Sequence, residues 1–227
     1  MNHLHQSHYF CNFTAYQVSK NNSSHQAPNN SWLAELSRTV ILSIVLALGI
    51  RTFVAEARWI PSGSMEPTLH GSPNQWEADK IIVDKLSYKV SSPKRGDIVV
   101  FSPTQELQRE QYQDAFIKRV IGLPGEKIEL RNGKVYINNK LLSEDKYLSP
   151  TQRTVVDVCT SGPQPSFLSQ PVTIPPNSYL VLGDNRNSSY DSRCWGLVPR
   201  ENIIGRAIVR FWPLSQVGGI DKTPLYP

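Results

Sequence analysis

Histidine is scarce in this 227-residue chain: there are five, and four of them (His3, His5, His8, His25) lie in the first 25 residues. Only His70 serves the rest, so neither a histidine-rich zinc site nor catalysis shared among several histidines is expected. Cysteine is as sparse. Cys11, Cys159 and Cys194 are too few and too scattered for a disulfide scaffold or a paired CxxC metal site, and an odd number leaves at least one thiol free. A strong charge of one sign is also missing: 24 Lys+Arg against 19 Asp+Glu give +5, and no run of like charges forms a stripe. The basic balance therefore reads as a solvated surface, without nucleic acid as a partner. Mean hydropathy of −0.35 rules out a polytopic membrane protein but leaves room for one span. What is present, 39% hydrophobic residues with 13 Gly and 17 Pro, is a globular balance. The length suits one domain or a core with a smaller insert.

Residues 1–31 hold six Asn, five Ser, four His and three Gln but one charged side chain, Lys20. With so little to bury, the segment up to residue 35 reads as a disordered polar tail. It lacks the basic start and apolar block of a secretory signal peptide. Composition then breaks. Thr39–Ile50 run TVILSIVLALGI between Arg38 and Arg51. As a helix these twelve residues rise about 18 Å, short of the roughly 30 Å hydrocarbon core. Continuing to Ala55 lengthens the run, provided Arg51 snorkels to the interface, and no polar face interrupts it. A single anchor over 36–57 is expected. Flanking charges tie, with Lys20 and Arg38 before it and Arg51 and Arg58 after it, so charge gives no orientation.

Beyond residue 58 the pattern is of short β-branched runs separated by Pro, Gly and Asn turns, which predicts a mainly β body of antiparallel sheets. Expected strands are Lys80–Lys85, Asp97–Phe101, Phe116–Ile121, Lys127–Arg131, Lys134–Asn138, Thr154–Val158, Ser178–Leu182 and Ile203–Phe211. Asn132-Gly133 is a type I′ hairpin signal.

Three segments could carry chemistry. In Ile60-Pro61-Ser62-Gly63-Ser64-Met65-Glu66-Pro67, two prolines and a glycine fix an irregular backbone around Ser64, which can present a hydroxyl and aim N–H groups at an oxyanion; taken alone, it also reads as a turn. In Phe116-Ile117-Lys118-Arg119-Val120-Ile121, a lysine interrupts an apolar strand. Pointing inward it would be desolvated and usable as a base; strand alternation could equally turn it to solvent with Val120. The third, Gly183 to Gly196, is a long polar loop dense in hydrogen-bonding groups, either functional or a set of self-satisfied turns. A serine nucleophile needs a base. His70 has no obvious carboxylate to orient it, and Lys118 is the lysine whose setting best suits the alternative.

Taken together, PSGSMEPTL, FIKRVIGLPGE and GDNRNSSYDSRCWGLVP, with Lys94-Arg95-Gly96-Asp97 followed by Ile98–Phe101, resemble the type I signal peptidases in content and order. These are membrane-anchored serine–lysine endopeptidases that remove signal peptides from exported proteins. The likeness runs from about 36 to 213 and is greatest to cyanobacterial and plastid members. It implies Ser64 as nucleophile and Lys118 as general base, with Ser62 assisting the oxyanion hole and Ser189 orienting Lys118. It makes Asp184 with Arg119, and Asp191 with Arg193, supporting ion pairs. Ile60, Met65, Leu69, Phe116 and Ile117 become the apolar walls of shallow pockets for small residues at −3 and −1 (an Ala-X-Ala end).

The resemblance further implies a catalytic core over 58–125 and 178–213, a smaller β insert over 126–177 and a tail over 214–227. The amino terminus would be cytoplasmic and the body periplasmic or lumenal, in the plasma or thylakoid membrane. Partners would be preprotein signal peptides and the lipid bilayer; no metal or cofactor is needed. Two departures stand out. The link His70–Asp79 is longer than usual, and Cys194 replaces a more usual aromatic. Cys194 and Cys159 would share one side of the membrane and could pair in an oxidising compartment, but are expected as two lone core thiols. Self-cleaving SOS-type repressors share the chemistry but need an amino-terminal DNA-binding module, which residues 1–31 cannot supply. An inactive binding domain would have lost Ser64 or Lys118, and both are present.

Overall fold

The computed structural model describes residues 31–160 and 163–220. The expected polar tail therefore falls, up to residue 30, outside the described residues, as do 221–227 of the carboxy-terminal tail. A helix, α1, covers Ser31–Phe53. Within it Trp32–Phe53 are long and apolar enough, by length and composition, to cross a membrane. Its 23 residues rise about 34 Å, so the twelve-residue core of the apolar run is lengthened in both directions. Two hydroxyls in the apolar stretch of the helix are satisfied internally: Thr39 Oγ1 donates to Glu35 O and Ser43 Oγ to Thr39 O. The helix starts earlier and ends sooner than the expected 36–57. Ala55–Trp59 leave it to form a strand, β1, whose backbone is satisfied by a ladder with β2 (Lys80–Asp84).

The remaining strands are β3 (Ile98–Phe101), β4 (Phe116–Gly122), β5 (Lys127–Arg131), β6 (Lys134–Ile137), β7 (Lys140–Leu141), β8 (Val172–Thr173), β9 (Ser178–Leu182), β10 (Val198–Pro199), β11 (Ile203–Trp212) and β12 (Gly218–Gly219). One sheet is ordered β1-β2-β11-β3-β4-β9-β10, with β12 on β11, and the other β7-β6-β5-β8; every pairing is antiparallel. The β5–β6 turn has Asn132 at φ 51° and Gly133 at φ 75°, the left-handed pair that a type I′ hairpin requires.

The alternation of β3 shows why the larger sheet is buried on both faces. Val99 and Phe101 enter one core cluster with Val120, Val181 and Trp195, while Ile98 and Val100 enter another with Ile60, Ile81 and Val83. A third cluster joins the sheets, with Ile121, Leu180 and Leu182 packing on Ile128, Val135 and Ile137. Gly122 sits at this junction, where a Cβ would lie 2.4 Å from Ile174 Cδ1. Thr154–Val158, expected as a strand, is irregular. Its backbone is satisfied elsewhere, Thr154 N–H by Gly133 O (2.9 Å) and Val155 C=O by Arg193 Nη1 (2.9 Å), leaving no ladder to join.

Candidate active site

Ser64 sits in a single 3-10 turn, Gly63–Met65, entered from extended Ser62 and closed by Glu66 N–H on Gly63 O (3.2 Å). The loop after β9 grips this turn from outside. Asn185 N–H donates to Ser64 O (3.1 Å) and its Nδ2 to Gly63 O (3.1 Å). Close approach depends on Gly183, where a Cβ would lie 2.2 Å from Ser189 Oγ and 2.5 Å from Ser64 O.

Lys118 lies on β4 on the same face as Val120, and that face is covered by the core cluster of Val99, Phe101 and Val181 rather than by solvent. Its side chain is buried, with Nζ 2.9 Å from Ser64 Oγ and 2.9 Å from Ile117 O. Burial draws its pKa from 10.5 down to about 8; the Asp191 and Asp184 carboxylates oppose the fall and Arg193 assists it. Ser62 Oγ is 3.3 Å from Ser64 Oγ. The expected hydrogen bond from Ser189 to Lys118 is not formed. Lys118 donates to the Ile117 carbonyl instead, and Ser189 Oγ is buried without a partner among the described residues. His70, whose ring does have a carboxylate partner (Glu66 Oε1, 2.7 Å), is more than half exposed and bonds there rather than to Ser64.

Behind the site three arginines are wholly buried, each in a two-pronged carboxylate pair. Arg119 holds Asp184 (2.8 and 2.7 Å) and Arg193 holds Asp191 (2.8 and 2.9 Å). Burial alone would raise the Asp191 pKa, but Arg193 and the Gly183 N–H outweigh it and keep the carboxyl below its ordinary value. The third pair, Arg186 with Glu144 (2.9 and 2.5 Å), was not foreseen, because Glu144 lies far from any quoted motif. Tyr147 Oη also donates to Glu144 (2.5 Å), and its ring lies 4.2 Å from the Arg119 guanidinium. Cys159 and Cys194, expected as lone thiols, are joined (Cα–Cα 5.1 Å), because the 156–160 loop packs on the turn Ser192–Trp195 in one core cluster.

Two clefts of about 350 and 370 Å³ meet along Pro61 and residues 114–117. Ile60, Phe116 and Ile117 line the first; Ser64, Lys118, Phe116 and Ile117 line the second. Met65 and Leu69 line neither and are wholly buried, core beneath the site rather than wall, because their side chains join Ile81, Val83 and Val100. Sequence reasoning missed Asn185, Tyr112, Asp114 and Tyr190. Asn185 and Tyr190 stand inside the polar loop, and Tyr112 and Asp114 just ahead of Lys118, but nothing in their identity marks them.

Comparison with known proteins returns one consistent picture. The family profile described as signal peptidase, peptidase S26, matches residues 33–212. The chain is 50% identical over 191 residues to the probable signal peptidase I-2 of Synechocystis sp., covering 84% of this chain and 78% of that one. It is 49% identical over 203 residues to the signal peptidase I of Leptolyngbya laminosa (88% and 90%). It is 34% identical over 189 residues to the thylakoidal processing peptidase 1 of Arabidopsis thaliana, covering 81% of this chain and 50% of that longer one.

Proposed function

Because this chain belongs to the signal peptidase family, peptidase S26, we propose that it is a serine endopeptidase that removes signal peptides from preproteins, with Ser64 as nucleophile and Lys118 as base. The observation that carries the mechanism is the 2.9 Å contact of Lys118 Nζ with Ser64 Oγ in a buried setting. Neutral Lys118 takes the Ser64 proton as Oγ attacks the scissile carbonyl. It returns that proton to the departing amine, then activates water against the acyl-enzyme. The Ser64 N–H and the Ser62 hydroxyl face the developing oxyanion. Ser189, whose buried hydroxyl lies beside the Asp191 carboxylate, orients Lys118 as the reaction proceeds; the Arg119 and Arg193 pairs hold the loop that carries it.

The substrate lies extended along residues 115–117, where β4 runs free of β9; the β4–β9 ladder starts only at Arg119. Ile60, Phe116 and Ile117 shape that channel for small residues at −3 and −1, an Ala-X-Ala end. The helix α1 anchors the enzyme in a plasma or thylakoid membrane, amino terminus in the cytoplasm. The body then works on the periplasmic or lumenal side, an oxidising setting that the Cys159–Cys194 bond fits.

Ser64→Ala and Lys118→Ala, assayed in detergent on a preprotein with an Ala-X-Ala end, should each lower processing by a thousandfold or more with the circular dichroism spectrum intact. Processing near the unmodified rate by either variant overturns the dyad.

A further inference from the structure

The second cleft has a wall that the proposed chemistry does not use. Phe116 stacks on Phe101 (5.9 Å between centroids), Tyr112 meets Phe116 edge-on (5.4 Å), and Tyr190 lies against Tyr112 (6.0 Å). The outer ring is pinned at its far end: Tyr190 Oη donates to Glu110, with Oε1 and Oε2 at 2.8 and 2.7 Å. Its near end is fixed by chain position, between Ser189 and the Asp191–Arg193 pair. Tyr112 is held by a backbone contortion. Gln111 has φ 67°, left-handed for a residue with a side chain, and the chain doubles back so that Tyr112 N–H reaches Leu107 O (3.0 Å). Two tyrosines fixed from separate directions, with Tyr112 substantially exposed, form a rigid face of the cavity that holds Ser64.

Position decides which part of a substrate meets this face. The neighbouring cleft, lined by Ile60, Val100 and Ile117, suits the small apolar side chains before the cut. Tyr112, Ser188 and Tyr190 line only the Ser64 cleft, where the chain after the cut must leave. Resting on the function proposed above, we infer that Tyr112 and Tyr190 are specificity-determining residues for the first two positions of the mature protein, excluding bulky side chains there, and that Glu110 is a positioning residue for Tyr190. Unlike flexible side chains, two interlocked rings yield little, so an oversized residue loses rate rather than merely shifting the loop.

The test is a set of peptide substrates varied one position at a time, from Ala to Trp, at −3, −1, +1 and +2, with kcat/KM measured for the unmodified enzyme and for Tyr112→Ala, Tyr190→Ala and Glu110→Ala. The Trp-to-Ala ratio at +1 or +2 should rise at least tenfold in both tyrosine variants and by less in Glu110→Ala, with the ratios at −1 and −3 unmoved. Tyr190→Phe, which keeps the ring but loses the bond to Glu110, should follow Glu110→Ala, and it carries the test with Tyr112→Ala if Tyr190→Ala does not fold. Unmoved ratios at +1 and +2, or equal movement at −1, overturn the inference. The two readings fail separately: activity surviving in Ser64→Ala sinks the dyad, whereas a dead Ser64→Ala beside unmoved +1 and +2 ratios sinks only the wall.

Discussion

An ammonium offers three N–H donors, and Lys118 has two acceptors in reach, Ser64 Oγ and Ile117 O. Losing one proton leaves two donors and a lone pair: one donor stays on Ile117 O and the lone pair faces the Ser64 hydroxyl. Burial pushes in the same direction, to a pKa of about 8. With Lys118 as the proposed base the working form is the deprotonated one, so kcat/KM should climb as pH rises through about 8 and level off above it, falling tenfold per unit on the acid side; a profile flat from pH 6 to 9 would contradict the lysine base. Asn185 is the complementary residue, holding both Gly63 O and Ser64 O. Asn185→Ala should lower kcat roughly ten- to a hundredfold with KM little changed, because a misplaced nucleophile loses rate before it loses binding. Stopped turnover on the best substrate gives both constants. Ser64 and Lys118 were singled out in sequence by the resemblance, since the Ser64 loop alone also reads as a turn and alternation alone leaves Lys118 open; what the fold adds is the 2.9 Å between them. Asn185 was not, because its role depends on a carbonyl more than a hundred residues away.

At the scale of elements, the ambiguity of Lys118 was resolved by where β4 sits rather than by its own alternation. A period-two pattern separates two faces but does not say that either meets water, and the face that Lys118 shares with Val120 packs on Val99, Phe101 and Val181. The strands themselves, from Lys80 to Trp212, were largely legible because β-branched runs and turn residues act locally. Thr154–Val158 misled for the opposite reason: its composition is that of a strand, yet the Gly133 carbonyl and the Arg193 side chain take the place of a neighbouring ladder. Arg186, which also donates to Thr154 Oγ1, pairs with Glu144 with both side chains buried. Glu144→Ala would strand a buried guanidinium, so stability should fall by about 3–5 kcal/mol, read from the urea midpoint. A loss under about 1 kcal/mol would mean that the pair is bypassed by solvent.

For the body as a whole, the Cys159–Cys194 bond closes a loop across 35 positions and fastens the 156–160 segment to the turn that follows Asp191. Chain-entropy arguments put such a closure at about 3–4 kcal/mol. The double change Cys159→Ala with Cys194→Ala, or incubation with a thiol reductant, should lower the urea midpoint accordingly. An unchanged midpoint would show that the two sulfurs are not joined in solution. Sequence spacing could not reveal the pairing, since it depends on how two distant loops pack rather than on either alone.

Strand β1 also bears on a conflict within the chain. An apolar helix followed by Ala55-Glu56-Ala57 is itself a copy of the pattern that the enzyme is proposed to cut. In the folded molecule those alanines are matched residue for residue with β2, Ala55 opposite Asp84 and Ala57 opposite Ile82. A peptide bond occupied in a sheet cannot also lie extended across another copy's nucleophile. Cleavage after Ala57 by the proposed activity would therefore require β1 to leave its ladder with β2, so the fold that would build the site also withdraws this segment from it.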